Sequence, residues 1–379
     1  MKIALLTDGI TPYCIGGMQR HSSNLCKHLL ELGYEVTLVH CVYNNQKLPR
    51  NQEVKLSFNN HSNLTVFGLK FPSLGRIPGH YLRESHQYSI DIFNKLKEDW
   101  SAFDIVIAKG FTAWHLLDLK RKKKINVGPI AVNFHGLEMF QTPATFSERI
   151  KSWLLKDPVK WNLKHADYVI SYGGKITEIL TRLKIEKPKI AEVPSGIDSE
   201  WVVSERIQNE QPVFVFLGRY ERRKAIEEIN VALKKHSDIQ FHFIGDIPFR
   251  KRIKSKNITY HGPQTEKYSI CKLLDSCDAI VSPSFSEGMP NVLLEGMARG
   301  LVPIATNVGA VQVLVNDQCG ILIETPKELE NAIIKFSEMS QAERQTLANA
   351  SLQQVQTNFV WEKIRAKTEY LLEQMIEKS

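Results

Sequence analysis

The stretch Ser282-Pro-Ser-Phe-Ser-Glu287-Gly-Met-Pro-Asn-Val-Leu-Leu-Glu295 decides how the rest of the chain is read. An apolar run, Ala279 to Val281, has the form of a buried strand leading into a polar turn with one carboxylate. Pro290 then opens an apolar helix that carries a second carboxylate about one and a half turns in. A helix start leaves its first amides without intrahelical partners, here those of Asn291, Val292 and Leu293, and such a start attracts phosphate. A carboxylate before the helix, an anion site at its mouth and a carboxylate inside it suit a ligand with hydroxyls on both sides of a phosphate. Taken in isolation, two acids around a helix start are commonly a cap and a solvated helix residue. Three features weigh against that here: Glu295 lies among apolar residues, the frame follows a strand end, and a basic turn precedes it in the same half of the chain.

At 379 residues with 43% hydrophobic content, the chain has the material for two α/β domains, each with its own core. No apolar run approaches the roughly 20 residues needed to span a bilayer. Met1-Lys-Ile-Ala-Leu-Leu-Thr7 reads directly into a strand, not a signal peptide, so a cytoplasmic protein is expected. The six cysteines are scattered without Cys-x-x-Cys pairs or zinc-like spacing, which argues for reduced thiols and against a metal or disulfide framework. Residues 1 to 200 hold 27 Lys and Arg against 19 Asp and Glu, whereas the remainder is balanced at 22 each, so the net charge of +8 belongs to the first half. That asymmetry points to an anionic partner, an acidic acceptor or an anionic membrane surface, or to a merely solvated basic surface.

In chain order, Lys2 to Thr7 reads as a buried parallel strand, Gly16-Gly17 as a loop, Met18 to Leu32 as a helix stopped by Gly33, and Glu35 to His40 as the next strand. This is a βαβ unit. Its glycines fall short of the Gly-x-Gly-x-x-Gly dinucleotide pattern, and a tight turn with positive φ is the plain reading of Gly16. Residues 44 to 100, with Pro49, Pro72 and Pro78, are irregular apart from a helix over Tyr81 to Leu96. Strands then follow at Asp104–Ala108, Ile130–Phe134, Tyr168–Ser171 and Ile190–Val193, the rhythm of a doubly wound sheet. His135-Gly136 stands at a strand's C-terminal end, where open α/β sheets bind ligands, although a histidine there is more commonly a structural hydrogen-bonding residue.

Two basic stretches stand out in this half. Lys120 to Lys124 reads as a solvated helix end. Ile150 to His165 mixes Trp153 and Trp161 with four lysines, a composition compatible with a lipid interface. A core helix anchored by its tryptophans, with lysines outward, is the favoured reading.

Pro194-Ser-Gly-Ile-Asp198 closes the first domain, taken as residues 1–200, and Ser199 to Pro212 reads as a linker into the second, 201–360. There a strand, Val213–Leu217, runs into Gly218-Arg219-Tyr-Glu-Arg-Arg-Lys224. Arg219 and Lys224 can close on a diphosphate, with Arg222 and Arg223 as alternatives or as a solvated cluster. Ile239–Ile244, Asn257–His261 and Leu301–Thr306 read as further strands, and helices cover about 326–337, 341–356 and 361–376. Asp-x-Asp is absent, so a diphosphate must be neutralised by protein groups and not through a metal held by that motif.

With Gly-Met-Pro-Asn-Val-Leu-Leu filling the gap between Glu287 and Glu295, and Gly-Met-Ala-Arg-Gly following, this region resembles the signature of the family 4 glycosyltransferases, retaining enzymes of the GT-B fold. Pro194-Ser-Gly-Ile-Asp198 is similar to the segment this family places before its hinge. The resemblance implies two Rossmann-like domains facing each other across a cleft, with the helix at about 361–379 crossing back onto the first through Val360, Ile364, Tyr370, Leu371 and Ile376. It implies sugar transfer from a nucleotide-diphosphate sugar, without cofactor or metal, to a glycan, glycolipid or other hydroxyl acceptor. It places Glu287, Gly288 and Met289 on the donor sugar, and Glu295 on the ribose. Arg219, Lys224 and the 291–293 amides fall on the diphosphate, with His135 facing the transferred sugar. Gly16 and Gly17 come to line the cleft, and His261-Gly262-Pro263 comes near the base. Glycan or lipid-linked acceptors follow from the same likeness; peripheral contact with an anionic membrane, at its inner face, is instead suggested by the basic first half, and no nucleic-acid partner is expected. One departure is Ala225, where the family has glycine after the lysine. An epimerase of the same fold and a non-catalytic sugar-nucleotide-binding protein are the competing readings.

Overall fold

A computed structural model describes residues 1–43, 46–75, 77, 79–96 and 100–378; Pro78 lies outside them. The chain forms two parallel sheets, each wrapped by helices. The first contains β1 (Lys2–Leu6), β2 (Glu35–Val42), β3 (Leu64–Lys70), β4 (Ile105–Lys109), β5 (Ile130–Asn133), β6 (Tyr168–Ser171) and β7 (Ile190–Glu192), in the order β3-β2-β1-β4-β5-β6-β7. The second contains β8 (Val213–Leu217), β9 (Gln240–Ile244), β10 (Ile258–Gly262), β11 (Ala279–Ser282), β12 (Val302–Thr306) and β13 (Ile321–Ile323), in the order β10-β9-β8-β11-β12-β13. Central strands such as Ile105–Lys109 and Val302–Thr306 are buried along their whole length, because helices cover both faces of a parallel sheet.

The strand that the sequence left within an irregular region is β3. It pairs with β2 from Leu64 to Lys70 but lies at the sheet edge, so its outward residues stay partly exposed and no apolar run betrays it. The 199–212 linker is likewise firmly packed. Gln208 is buried against Gly300, and Arg344 donates to the carbonyls of Asn209 and Glu210.

In both sheets the order of strand addition reverses once, between β1 and β4 in the first and between β8 and β11 in the second. The crevice outside the strand ends at such a reversal is where open α/β sheets hold ligands, because neighbouring loops diverge there. The Gly16-Gly17 loop follows β1, the Gly218–Lys224 turn follows β8 and the Glu287 loop follows β11, so three of the sequence's motifs meet at the two reversals.

The C-terminal helix Trp361–Glu377 crosses from the second domain to the first. At the crossover, Ile197 N donates to Phe359 O at 2.8 Å and Trp361 N to Ile197 O at 3.0 Å. Leu372 and Met375 enter the first domain's core beside Leu25, Leu29 and Val36, and Arg365 pairs with Glu31 at 3.0 Å. The buried face is Trp361, Ile364, Thr368, Leu372 and Met375, whereas Tyr370 is exposed. The 3.6-residue period selects that stripe and turns Tyr370 outward.

One further expectation changes. Trp153 is 71% exposed, so it does not anchor its helix in the core, while Trp161 is half-buried and stacks on His165. In the Lys120–Lys124 run, Lys120 pairs with Asp167, and Arg121 and Lys122 pair with Asp118, as fits a solvated helix end. Among the described residues no helix is long and apolar enough to cross a membrane.

Candidate active site

Glu287 sits in the loop after β11, and its carboxylate is buried. Lys224 Nζ lies 2.5 Å from Oε1, Ser284 Oγ donates to the same oxygen at 2.8 Å, and Arg223 Nη1 lies 3.3 Å from Oε2. Burial alone would push this carboxyl up, but the Lys224 and Arg223 charges outweigh it and hold the group down at about 2. Glu287 is therefore a firmly ionised carboxylate enclosed by three donors.

The turn that supplies the cations is a short 3-10 segment, Arg222–Lys224, closed by Ala225 at φ 58 and ψ 37. That is the left-handed conformation a glycine would adopt freely, and the alanine holds it although buried. The turn is thus built despite the missing glycine. Of the two cations named from sequence, Lys224 points inward. Arg219 is 63% exposed and its guanidinium lies 2.5 Å from Glu221, so the arginine beside Lys224 on Glu287 is Arg223. Phe285 N also donates to Arg223 O at 2.8 Å, tying this turn to the Glu287 loop.

The helix after Glu287 spans Asn291–Ala298 with Pro290 as its N-cap, one residue earlier than the proline's expected place inside the helix. Leu293 N donates to Pro290 O at 3.0 Å, so this amide is already used. The amides of Asn291 and Val292 make no hydrogen bond among the described residues and remain for a ligand. The Asn291 side chain reaches across the cleft, with Nδ2 at 3.4 Å from Gly17 O, and its Oδ1 accepts from Ser195 Oγ at 3.1 Å. Gly16 is extended at φ 167, not left-handed, and Gly17 opens the helix Gly17–Glu31.

Glu295 is buried one turn inside its helix, and Arg20 of the first domain reaches over to hydrogen-bond its Oε1. Burial raises this carboxyl, with Arg20 opposing. Around the pair lies a pocket of about 220 Å³ whose lining includes Asn291, Asp198, Trp201, Thr265 and Lys267. His261, Gly262 and Pro263 do not line it. The Gly262 carbonyl accepts from Gly245 N, the His261 carbonyl accepts from Gln264 Nε2, and it is Thr265 and Lys267, just downstream, that face the pocket.

His135 closes the site from the first domain. It is buried with φ 52, and its Nδ1 lies 2.6 Å from Tyr172 OH, while Nε2 has no partner. Burial and the nearby Lys109 charge hold the imidazole well below its ordinary pKa, so it is neutral near pH 7. Behind it, Tyr172 OH donates to Asn133 Oδ1 at 3.3 Å, and the fully buried Lys109 donates to the same oxygen at 3.2 Å. Burial brings Lys109 down to about 7, with Asp8 opposing.

The two domains touch across this region. A Cβ on Gly136 would come within 2.8 Å of Gly288 N, so only a residue without a side chain fits at the contact. Gln141 completes the clasp by donating to Gly136 O and, at 2.6 Å, to Glu287 O. Gly309, at φ 57, would place a Cβ 2.2 Å from Glu287 O, so the Glu287 loop is packed against a glycine on its other side as well. Met289 is buried, with its sulfur 3.0 Å from Ser195 N. Sequence reasoning missed Arg20, Gln141, Tyr172 and Ser284. Arg20 carried a signal, being a charged residue in the first turn of a helix opened by Gly16-Gly17; Gln141 carried none.

Comparison with known proteins agrees with this geometry. The family model described as Glycosyltransferase Family 4 matches residues 15–201, and that described as Glycosyl transferases group 1 matches 211–338. The chain is 31% identical over 153 residues to a Bacillus subtilis protein named as a teichuronic acid biosynthesis glycosyltransferase, TuaC, a stretch covering 40% of this chain and 39% of that one. Sucrose-phosphate synthase from Thermosynechococcus elongatus superposes over 100% of both chains with a TM-score of 0.78 at 19% identity. Anabaena HepE, solved with UDP-glucose, superposes over 99% of this chain and 100% of its own with a TM-score of 0.68 at 15% identity. Two family models that together run through both domains, over a GT-B architecture with the Glu287 and Glu295 helix at its cleft, show that the chain belongs to the family 4 glycosyltransferases.

Proposed function

We propose that the protein transfers a sugar from a nucleoside diphosphate sugar to a hydroxyl of a glycan or lipid-linked acceptor, with retention of configuration and without a metal or cofactor. The observation that carries this reading is Glu287, ionised and buried at the sheet reversal between Lys224, Arg223 and a helix start with two unused amides. In it, the diphosphate lies against the Asn291 and Val292 amides, where Lys224 and Arg223 can swing from Glu287 to the phosphate oxygens and stabilise the charge that develops as the bond to the anomeric carbon breaks. The pocket around Glu295 takes the nucleoside, with the carboxylate accepting from the ribose hydroxyls in place of Arg20. The neutral His135 offers its free Nε2 to a hydroxyl of the transferred sugar.

Glu287 acts here as an electrostatic stabiliser and not as the nucleophile. A carboxylate held at about 2 by two cations and a hydroxyl is a poor nucleophile, but its charge steadies an oxocarbenium-like sugar. The acceptor oxygen then bonds to the anomeric carbon on the face the diphosphate leaves, and its proton passes to the departing diphosphate oxygen. The UDP-glucose held by the Anabaena neighbour supports trying uridine donors first.

The test is a thermal-stability screen over UDP, GDP, ADP and their sugars, in which a ligand at 100 times its Kd adds about 2.7 kcal/mol. Absence of a shift with every nucleotide refutes the donor site. Glu287→Ala and Lys224→Ala should abolish transfer while the fold survives. Turnover of the donor sugar to its epimer with no acceptor present would favour the epimerase reading instead, and nucleotide binding without any turnover the binding-protein reading.

A further inference from the structure

We infer that the first half of the Phe146–His165 helix is an interfacial anchor that seats the first domain on an anionic lipid bilayer. No residue from Phe146 to Pro158 is buried, burial begins only at Val159, and of the apolar side chains in this half only Leu155 packs against the core. Phe146 is 75% exposed, Ile150 51%, Trp153 71% and Leu154 37%. Their spacing of four, seven and eight residues from Phe146 puts all four on one face of the helix.

At 100° per residue, Arg149 and Lys156 border this face on one side and Lys151 on the other, with Lys160 and Lys164 further along. None of these five cations forms an ion pair among the described residues, unlike Lys120, Arg121 and Lys122 nearby. Glu148 lies on the opposite side, where its carboxylate accepts from Ala144 N at 2.9 Å; Asp157 is the one acid on the apolar face, at its inner end. A soluble protein rarely leaves such a stripe to water. Aromatic residues amid flanking lysines and arginine match the boundary between acyl chains and anionic headgroups, where the rings enter and the cations reach back to phosphate. A second copy is the poorer occupant, because two such faces placed together would oppose Arg149, Lys151 and Lys156 with their own images.

The location adds a consequence. Thr145 caps this helix by accepting from Glu148 N at 3.1 Å, only four residues after Gln141, which bridges Gly136 and Glu287. The anchor therefore begins beside the cleft and would hold its mouth at the lipid surface, where an acceptor with a lipid tail presents its hydroxyl.

The experiment is co-sedimentation of the full chain with vesicles of equal phosphatidylglycerol and phosphatidylcholine, and with phosphatidylcholine alone, at low and physiological salt. The chain should sediment with the anionic vesicles and several-fold less with neutral ones, and added salt should weaken the binding. The combined Phe146→Ser, Ile150→Ser and Trp153→Ser variant should lose binding by about tenfold or more while keeping its circular dichroism melt and its nucleotide-induced thermal shift. Retention of those two readouts separates failure of the anchor from failure of the donor site. Equal sedimentation of variant and wild type, or none of wild type with anionic vesicles at low salt, overturns the inference. So does a concentration-dependent dimer in sedimentation velocity that the variant abolishes in the absence of vesicle binding.

Discussion

Removing the charge of Lys224 tests the core of the site most directly. Glu287 is held at about 2 against an ordinary value of 4.5, and a depression of that size corresponds to about 3 kcal/mol of stability at neutral pH. Because the folded value is the lower one, this contribution is complete above the unfolded pKa and is lost as pH falls from about 4.5 toward 2. By about pH 3, roughly 2 kcal/mol of it should be gone. Lys224→Met leaves the burial of the carboxylate in place with only Arg223 and Ser284 to oppose it. We expect a loss of about 3 kcal/mol at pH 7, the usual consequence of stripping one partner from a buried pair.

Glu287→Gln should cost about 2 kcal/mol, and the double variant about 3 instead of their sum, giving a coupling near 2 kcal/mol. The assay is urea unfolding followed by circular dichroism for the four proteins at several pH values between about 6 and 3. Wild type should lose about 2 kcal/mol more than Lys224→Met across that range. Parallel pH curves for the two, or strictly additive single variants, would refute the electrostatic account of Glu287.

Other expectations concern the cleft. Arg223→Ala should lower kcat/KM by about 100-fold, while Arg219→Ala, which removes an exposed arm, should stay within about threefold; steady-state kinetics with a matched donor and acceptor separates them, and equal losses would restore Arg219 to the diphosphate. Glu295→Gln should raise the donor KM about tenfold with kcat little changed, read in the same kinetics. Gly136→Ala places a methyl against Gly288 N and should hold the domains apart, visible as a larger radius of gyration in X-ray scattering and a lower kcat without loss of fold.

Much of the architecture was legible locally. Central parallel strands are continuous apolar runs and their helices show a 3.6-residue period, so Lys2–Leu6, Val213–Leu217 and Asn291–Ala298 could be found from their own residues. Glu287, Glu295 and Lys224 were found because their loops adjoin such strands and carry a dense motif. Local pattern failed where two environments share one composition. An edge strand such as Leu64–Lys70 mixes buried and wet residues, and a half-apolar helix such as Phe146–His165 looks the same whether its stripe faces a core or the outside.

The two α/β domains, the cleft motifs and the basic first half can be read along the chain, because each is written in residues near one another. Tertiary structure selects the arginine that joins Lys224, since one step in the Arg222–Lys224 segment rotates a side chain by about a third of a turn. It alone brought Arg20 onto Glu295, Gln141 onto Glu287 and Tyr172 onto His135. The first two join groups more than a hundred residues apart across a domain interface, and the third depends on β5 and β6 lying side by side. Such contacts follow from how sheets and domains close, which no spacing along the chain records.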